Sequence, residues 1–451
     1  MTGNPNATSA SRPARELSLF DSTSLVVGII IGVGIYQMAP DIAKGAGSGW
    51  GVVAIWLLGG LISLAGALCY AELAAAFPQE GGDYVYLSRA YGPWAGFLFG
   101  WAQLAVVRPG DIAVVAFAFA TYAQTIYDPL AGTDFPLARQ GYAILVTGVL
   151  TVINVLGVRE GKWTQNLLTS AKALGLLLIA ATAILGTRTP SPPAASTPTL
   201  PFSLALIFVL FTYGGWNEMA YVAAEVKNPR QNILRALVLG IGAVTAIYLL
   251  VNGAFLHALG YAGLAGSKAV AADTLAAAFP RAGSILISAL ICISAMGAVN
   301  GLIFTGARIS YAVGADHRVF RPLGRWHPRL GTPATALWVQ GAIAVLLILL
   351  LGSFVEAVLY TAATVYSFYL ASTLAVIVLR RKQPDVERPY RVLGYPFVPL
   401  IFASACGFLI YSAVTYKPLV AGASAALLVL GLPLYLLSKR RPPSGVRSLG
   451  R

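Results

Sequence analysis

Long apolar runs separated by short polar segments make up almost the whole chain. A bilayer core about 30 Å thick requires about 20 consecutive apolar residues in a helix, and windows of that length predict twelve membrane-spanning helices. They are predicted at 17–39, 49–77, 93–126, 137–157, 163–187, 202–223, 232–257, 283–314, 333–351, 354–380, 394–416 and 418–438. The predicted fold class is therefore an all-α polytopic membrane protein.

Glycines interrupt the first predicted helix at a depth where a membrane helix should be continuous. The run Gly28-Ile29-Ile30-Ile31-Gly32-Val33-Gly34-Ile35-Tyr36 contains three of them. An opened helix leaves N–H and carbonyl groups without partners. In hydrocarbon such groups are tolerated only where they line a protected cavity, so the break predicts a ligand site. The alternative is that the glycines only let a neighbouring helix approach closely.

A second interrupted run, Phe211-Thr212-Tyr213-Gly214-Gly215-Trp216-Asn217, lies in the sixth predicted helix. Two halves of five helices have opposite orientations, so these breaks predict an inverted repeat, and paired broken helices indicate a transporter's binding site. This pairing favours a ligand site over mere packing. The predicted organisation is a cytoplasmic tail (1–16), a first repeat (17–187), an external linker (188–201), a second repeat (202–380), a cytoplasmic loop (381–393), two appended helices (394–438) and a basic tail (439–451).

Charge and composition fit this organisation. Only 11% of the residues are charged, and the net charge of +14 comes from short basic clusters between apolar runs, so no nucleic-acid partner is indicated. On the side opposite the termini lie only Lys44, Arg139, Arg188, Lys268, Arg281 and Lys417. The positive-inside rule therefore predicts that both termini are cytoplasmic.

The sequence carries no pattern that indicates an enzyme. Its three cysteines lie inside apolar segments and its three histidines form no metal-binding motif, so neither a disulfide framework nor a metal site is expected. A phosphate-cradling loop that could couple transport to ATP is also missing from the sequence. We expect no cofactor.

Two broken helices side by side offer a ligand both N–H donors and carbonyl acceptors, which suits the carboxylate and ammonium of an α-amino acid. The nearest acid to either break is Glu218. It could bind a cationic substrate, or it could face a polar interface on the cytoplasmic half of its helix. Arg108 and Asp111, three residues apart, are predicted to neutralise each other on one helix face, with lining of the pathway as the alternative.

Lys172 lies inside the fifth predicted helix, ten positions after Lys162. At about 1.5 Å per residue this places it roughly 15 Å from that end of the helix. A lysine at such depth is functional by default, because burial of an unpaired ammonium is costly. The alternative is a side chain that snorkels to the surface.

These motifs together make the chain similar to the amino acid–polyamine–organocation superfamily, and within it to the L-type (light-chain) amino acid transporter branch. The resemblance extends over about residues 17–438. It is carried by the two interrupted runs and by Ala67-Leu68-Cys69-Tyr70-Ala71-Glu72-Leu73, Gly81-Gly82-Asp83-Tyr84-Val85-Tyr86, Arg108-Pro109 and Glu387-Arg388-Pro389.

The resemblance implies a LeuT-like five-plus-five fold with broken first and sixth helices, two appended helices and sodium-independent exchange. It implies that backbone N–H groups of Gly32, Val33 and Gly34 bind the substrate carboxylate. It implies that carbonyls of Ile30, Phe211 and Gly214 receive the ammonium, with the Phe211 ring as an outer gate. Asn217 would border the side-chain pocket, and Lys172 would occupy the place that a sodium ion has in sodium-coupled relatives.

Two departures from the family pattern qualify these expectations. Val33 stands where the family often has serine, so a hydroxyl contact is lost there while backbone contacts remain. The loop Tyr127–Pro136 lacks the cysteine through which animal members join a heavy chain, so no disulfide-linked partner is expected.

We therefore predict a plasma-membrane exchanger of neutral L-amino acids that works by alternating access. A proton- or sodium-coupled symporter is the first alternative, and a channel or receptor without a transport cycle is the second.

Overall fold

A computed structural model describes residues 17–79, 81–128, 138–156, 173–177, 179–181, 184, 199–221, 223, 226–278, 282–325, 327, 330 and 332–438. Its first half contains α1 (Leu19–Ile30), α2 (Gly34–Gln37), α3 (Ala39–Ala46), α4 (Gly49–Ala76), α5 (Asp83–Tyr91), α6 (Pro93–Ala102), a π-helical segment (Gln103–Val107), α7 (Arg108–Ile126) and α8 (Ala138–Val155). Short connections join these helices within the described residues of the first half.

The second half begins with α9 (Phe202–Thr212) and a 3₁₀ segment (Trp216–Ala220). It continues with α10 (Pro229–Gly266), α11 (Val270–Ala278), α12 (Ala282–Asp316), a 3₁₀ turn (Arg318–Phe320), α13 (Ala334–Leu351), α14 (Phe354–Lys382), α15 (Phe397–Tyr416) and α16 (Pro418–Leu437). Within the described residues, nine helices are long and apolar enough to cross a bilayer.

Both predicted breaks are present. A capping box at Ser18 begins α1, which ends at Ile30, and Ile31 leaves the helical conformation with ψ of 88° before the helix resumes at Gly34. In the sixth predicted span, α9 ends at Thr212, and Gly215 has φ of +107°. Only glycine adopts that conformation without strain, so Gly215 fixes where this helix breaks.

The structure differs from the sequence prediction in two elements, and it leaves a third mostly untested. The first span, predicted at 17–39, is observed at Leu19–Gln37, and the prediction missed α3, which has Pro40 in its first turn and continues to Ala46. The helix predicted at 93–126 is present as Pro93–Ile126 but contains the π-helical segment, which has no signature in an apolar run. The predicted fifth helix, at 163–187, lies mostly outside the described residues.

The long helices pack so that the two breaks face each other. Helix α10 packs against α4 and α1, α12 packs against α7, and α14 packs against α7 and α15. These contacts leave a space in the middle of the helices, bordered by both breaks, and that space is the candidate site.

Candidate functional site: a cavity between two broken helices

Backbone donors are free at the first break. The N–H of Ile31 still donates to the Val27 carbonyl at 2.8 Å, whereas none of the backbone hydrogen bonds among the described residues uses Gly32 or Val33 as donor. Gly34 is the first residue of α2, so its N–H also lacks a helical acceptor. Three consecutive N–H groups can therefore bind an anionic group.

The two breaks are in van der Waals contact. A Cβ added at Gly34 would lie 3.0 Å from Thr212 Oγ1, and one added at Gly215 would lie 2.5 Å from Ile29 Cγ2. Both glycines therefore serve close packing as well as the break itself.

Tyr248, on α10, connects the two breaks through one hydroxyl group. Its oxygen lies 2.9 Å from the carbonyl oxygen of Ile30 and 3.2 Å from that of Thr212. The ring is fully buried and packs edge-on against Trp56, with ring centroids 5.2 Å apart. The single hydroxyl proton of Tyr248 is therefore shared between one carbonyl of each half-helix. Sequence reasoning missed Tyr248, because one tyrosine in an apolar span has no local signal.

Both breaks open into one cavity of about 510 Å³. Its wall also includes residues of the π-helical segment, α7, α12 and α14. A volume of this size lies within the usual range of about 300–1,000 Å³ for small-molecule sites. All the predicted substrate residues line this cavity: Ile30, Gly32, Val33, Gly34, Phe211, Gly214 and Asn217.

Some of the predicted acceptors already hold one hydrogen bond. The Ile30 carbonyl accepts from Tyr248, and the Phe211 carbonyl accepts from the Gly214 N–H at 2.9 Å. The Asn217 Oδ1 accepts from the Tyr369 hydroxyl at 2.8 Å. The Phe211 carbonyl also accepts from the Tyr213 N–H. Because a carbonyl oxygen has two lone pairs, the Ile30 carbonyl and the Asn217 Oδ1 each retain one for a further donor.

An ion pair crosses the cavity wall. Arg108 Nη2 donates to Glu218 Oε1 at 2.8 Å, and the side chains are 6% and 24% exposed. The prediction that Arg108 is neutralised by Asp111 is therefore wrong in its partner. Glu218 faces the cavity, and Asp111 lines it as well. The i,i+3 spacing suggested a local pair, but the stronger contact joins residues 110 positions apart.

Asp83 lines the cavity and accepts hydrogen bonds from three hydroxyl groups. Tyr70 and Ser372 donate to Oδ1 at 2.5 Å each, and Tyr221 donates to Oδ2 at 2.9 Å. Burial raises the pKa of the Asp83 carboxyl, and these hydrogen bonds act against the rise. The carboxyl therefore joins α4 and α14 to the chain that follows the second break.

Lys172, the remaining predicted site residue, lies outside the described residues. In the part of the chain that the structure describes, no group of three or more His, Cys, Asp or Glu residues could hold a metal ion.

A helical membrane protein whose two broken helices open into a shared central cavity has the design of a secondary transporter. The family model described as "Amino acid permease" matches residues 17–432. The chain therefore belongs to the amino acid permease family, whose members are transporters and not enzymes.

Curated relatives match over nearly the whole chain. The human "Large neutral amino acids transporter small subunit 2" is 32% identical over 437 residues, covering 94% of this chain and 80% of that protein. The "Serine/threonine exchanger SteT" of Bacillus subtilis is 30% identical over 438 residues, covering 95% and 98%. The rat "b(0,+)-type amino acid transporter 1" is 32% identical over 419 residues, covering 90% and 83%.

Proposed function

We propose that this protein exchanges neutral L-amino acids across the plasma membrane by alternating access, without sodium. The observation that carries the proposal is the single cavity onto which both helix breaks open. The names of the relatives support it, because they include a neutral amino acid transporter and a serine/threonine exchanger.

In the proposed complex the substrate carboxylate accepts hydrogen bonds from the N–H groups of Gly32, Val33 and Gly34. The substrate ammonium donates to carbonyls of Ile30, Phe211 and Gly214. Free N–H groups at the start of α2 support the first contact, and the unused lone pair of the Ile30 carbonyl supports the second.

The rest of the proposed site surrounds these polar contacts. The Phe211 ring, half-buried beside the break, serves as the outer gate, and Asn217 borders the side-chain pocket. We assign to Lys172 the place of a sodium ion in sodium-coupled relatives.

The proposed architecture has twelve spans, with repeats at 17–187 and 202–380, the linker 188–201 between them and the appended pair at 394–438. The tails 1–16 and 439–451 and the loop 381–393 are placed in the cytoplasm. We propose that no heavy chain is attached by a disulfide. In support, the described cysteines, Cys69, Cys292 and Cys406, are all free and buried.

Transport by the purified protein in liposomes tests this function. We expect uptake of a labelled neutral amino acid to require unlabelled amino acid inside, and to be unchanged by sodium or pH gradients. Uptake into empty vesicles driven by either gradient would identify a symporter instead. Binding without any uptake would identify a receptor.

A further inference from the structure

The described residues of the cavity wall include more acidic than basic side chains. The described lining contains one guanidinium, Arg108, and the three carboxyl groups of Asp83, Asp111 and Glu218. Asp83 receives three hydroxyl hydrogen bonds, and Glu218 is paired with Arg108. Asp111 lies on the cavity wall and makes no hydrogen bond or ion pair within the described part of the chain. The charge of Arg108 acts on Asp111, but the Arg108 guanidinium donates to Glu218. The described wall therefore has one guanidinium for the two carboxyl groups of Asp111 and Glu218.

An unsatisfied acceptor lies on the same face of the same span. Gln103, Val107, Asp111 and Val115 are spaced by four residues and all line the cavity. Gln103 is only 6% exposed, and its Oε1 has no hydrogen-bond partner within the described part of the chain. It belongs to the π-helical segment, a distortion that is common at functional sites. Two acceptors without donors therefore border the cavity from one side.

A carboxylate without a counter-ion is costly inside a membrane protein, and Arg108 is already committed to Glu218. The missing group must bring one positive charge, must donate hydrogen bonds and must enter the cavity from outside the described wall. An α-amino acid held at the breaks can supply such a group from its side chain.

We propose that Asp111 binds the side-chain ammonium or guanidinium of a basic amino acid, with the Gln103 side-chain oxygen accepting a further hydrogen bond from it. This inference rests on the proposed function, because the helix breaks hold the substrate's carboxylate and α-ammonium. It extends the substrate range from neutral amino acids to basic ones. It also places on α7 the carboxyl group that distinguishes basic from neutral substrates.

A proton on Asp111 would also remove the unpaired charge, but it makes a different prediction. It would leave basic amino acids without a binding group and would make the exchange of neutral amino acids depend on pH. A bound cationic side chain instead makes lysine a competitor.

Proteoliposomes containing the full chain separate these cases. They are loaded with the unlabelled neutral amino acid that the wild type exchanges best, and lysine competes with the labelled form outside. We expect lysine to inhibit the wild type. In Asp111→Asn we expect the half-inhibitory lysine concentration, divided by the half-saturating concentration of the neutral amino acid in the same variant, to rise at least tenfold, about 1.4 kcal/mol.

Asp385→Asn is the matched control, because Asp385 is exposed and does not line the cavity. It should keep the wild-type response to lysine. Asp111→Ser should reproduce the asparagine variant, which guards against a folding defect in either one. Thermal stabilisation of the purified protein by lysine, lost in both variants, provides a readout that needs no transport.

Failure of lysine both to compete and to stabilise the wild type would overturn the inference, and so would equal competition in Asp111→Asn. A different result would also overturn the inference: exchange of neutral amino acids that depends on pH in the wild type but not in Asp111→Asn, without competition by lysine. It would mean that Asp111 binds a proton. By contrast, the proposed function fails if the wild type exchanges no neutral amino acid, whatever lysine does.

Discussion

Among single residues, Gly32 and Gly34 are two positions apart in one motif but have different surroundings. A Cβ at Gly32 would have only the Ile30 carbonyl oxygen within 4 Å, at 3.9 Å, whereas a Cβ at Gly34 would meet Thr212 Oγ1 at 3.0 Å. The structure therefore assigns space beside the break to Gly32 and close packing between the breaks to Gly34.

This difference gives a test of ligand binding that does not disturb the fold. Gly32→Ala should leave the melting temperature unchanged, because the protein has room for the methyl group. It should weaken substrate affinity by about tenfold or more, about 1.4 kcal/mol, because the methyl group stands beside the N–H donors. Substrate titration and thermal melting of the purified variant measure the two effects.

Two further alanine variants complete this test. Gly34→Ala should lower both affinity and melting temperature, since Thr212 must move. Gly242→Ala, at a position with nothing within 4 Å of the added Cβ, should change neither. Wild-type affinity in Gly32→Ala would contradict a carboxylate site at this break.

For single residues, the sequence predicted the features that depend on a local pattern. The glycines stood out because an apolar run long enough to cross the membrane should not contain them. The contact of Tyr248 with Ile30 and the pair Arg108–Glu218 depend instead on how distant helices pack. No spacing within one helix reports such contacts, and for Arg108 the nearest acid in the sequence was the wrong partner.

Among the elements, α4 and α14 are held together by a buried carboxylate. Glu72, 2% exposed, accepts from Arg380 Nε at 2.8 Å and from the Val392 N–H at 2.7 Å. Arg388 Nε lies 3.7 Å from Glu72 Oε1, the oxygen that also accepts from Arg380 Nε. One carboxylate thus ties two long helices to the segment that follows α14.

Neutralising this carboxylate should destabilise the protein strongly. In Glu72→Gln two guanidinium groups, of which Arg388 is 5% exposed, lose a carboxylate that is 2% exposed, and breaking a buried pair costs about 3–5 kcal/mol. We expect a clear fall in the melting temperature of the detergent-purified protein. Glu387→Gln is the matched control, since Glu387 and its partner Arg230 are 69% and 64% exposed and such pairs contribute little. Equal melting temperatures for the two variants would refute the role of Glu72.

The positions of most long helices followed from hydropathy, because a bilayer of fixed thickness sets their length. Helix α4, predicted at 49–77, is observed at Gly49–Ala76, and α14, predicted at 354–380, at Phe354–Lys382. Short α5 and α11 were not predicted, since each has only nine residues, too few for the bilayer-length windows on which the prediction rests. The π-helical segment was missed because its residues are as apolar as their α-helical neighbours.

For the whole molecule, the loop charges alone predict the orientation in the membrane. The described helices provide positions at which this orientation can be tested. Lys268, before α11, and Asp385, after α14, are both exposed. Three apolar spans separate them: Ile287–Tyr311, Ala334–Leu351 and Phe354–Lys382. An odd number of crossings places the two positions on opposite sides, and the basic cluster near Asp385 assigns that side to the cytoplasm.

Single cysteines at these positions test the assignment with a membrane-impermeant maleimide. The native Cys69, Cys292 and Cys406 are buried, so the wild type should label little. Lys268→Cys should react in intact cells, whereas Asp385→Cys should react only after the membrane is permeabilised, because the basic loop around it faces inward. The reverse pattern would invert the proposed topology. Labelling of both variants in intact cells would mean that the number of spans between them is even, and the arrangement of the second repeat would have to be redrawn.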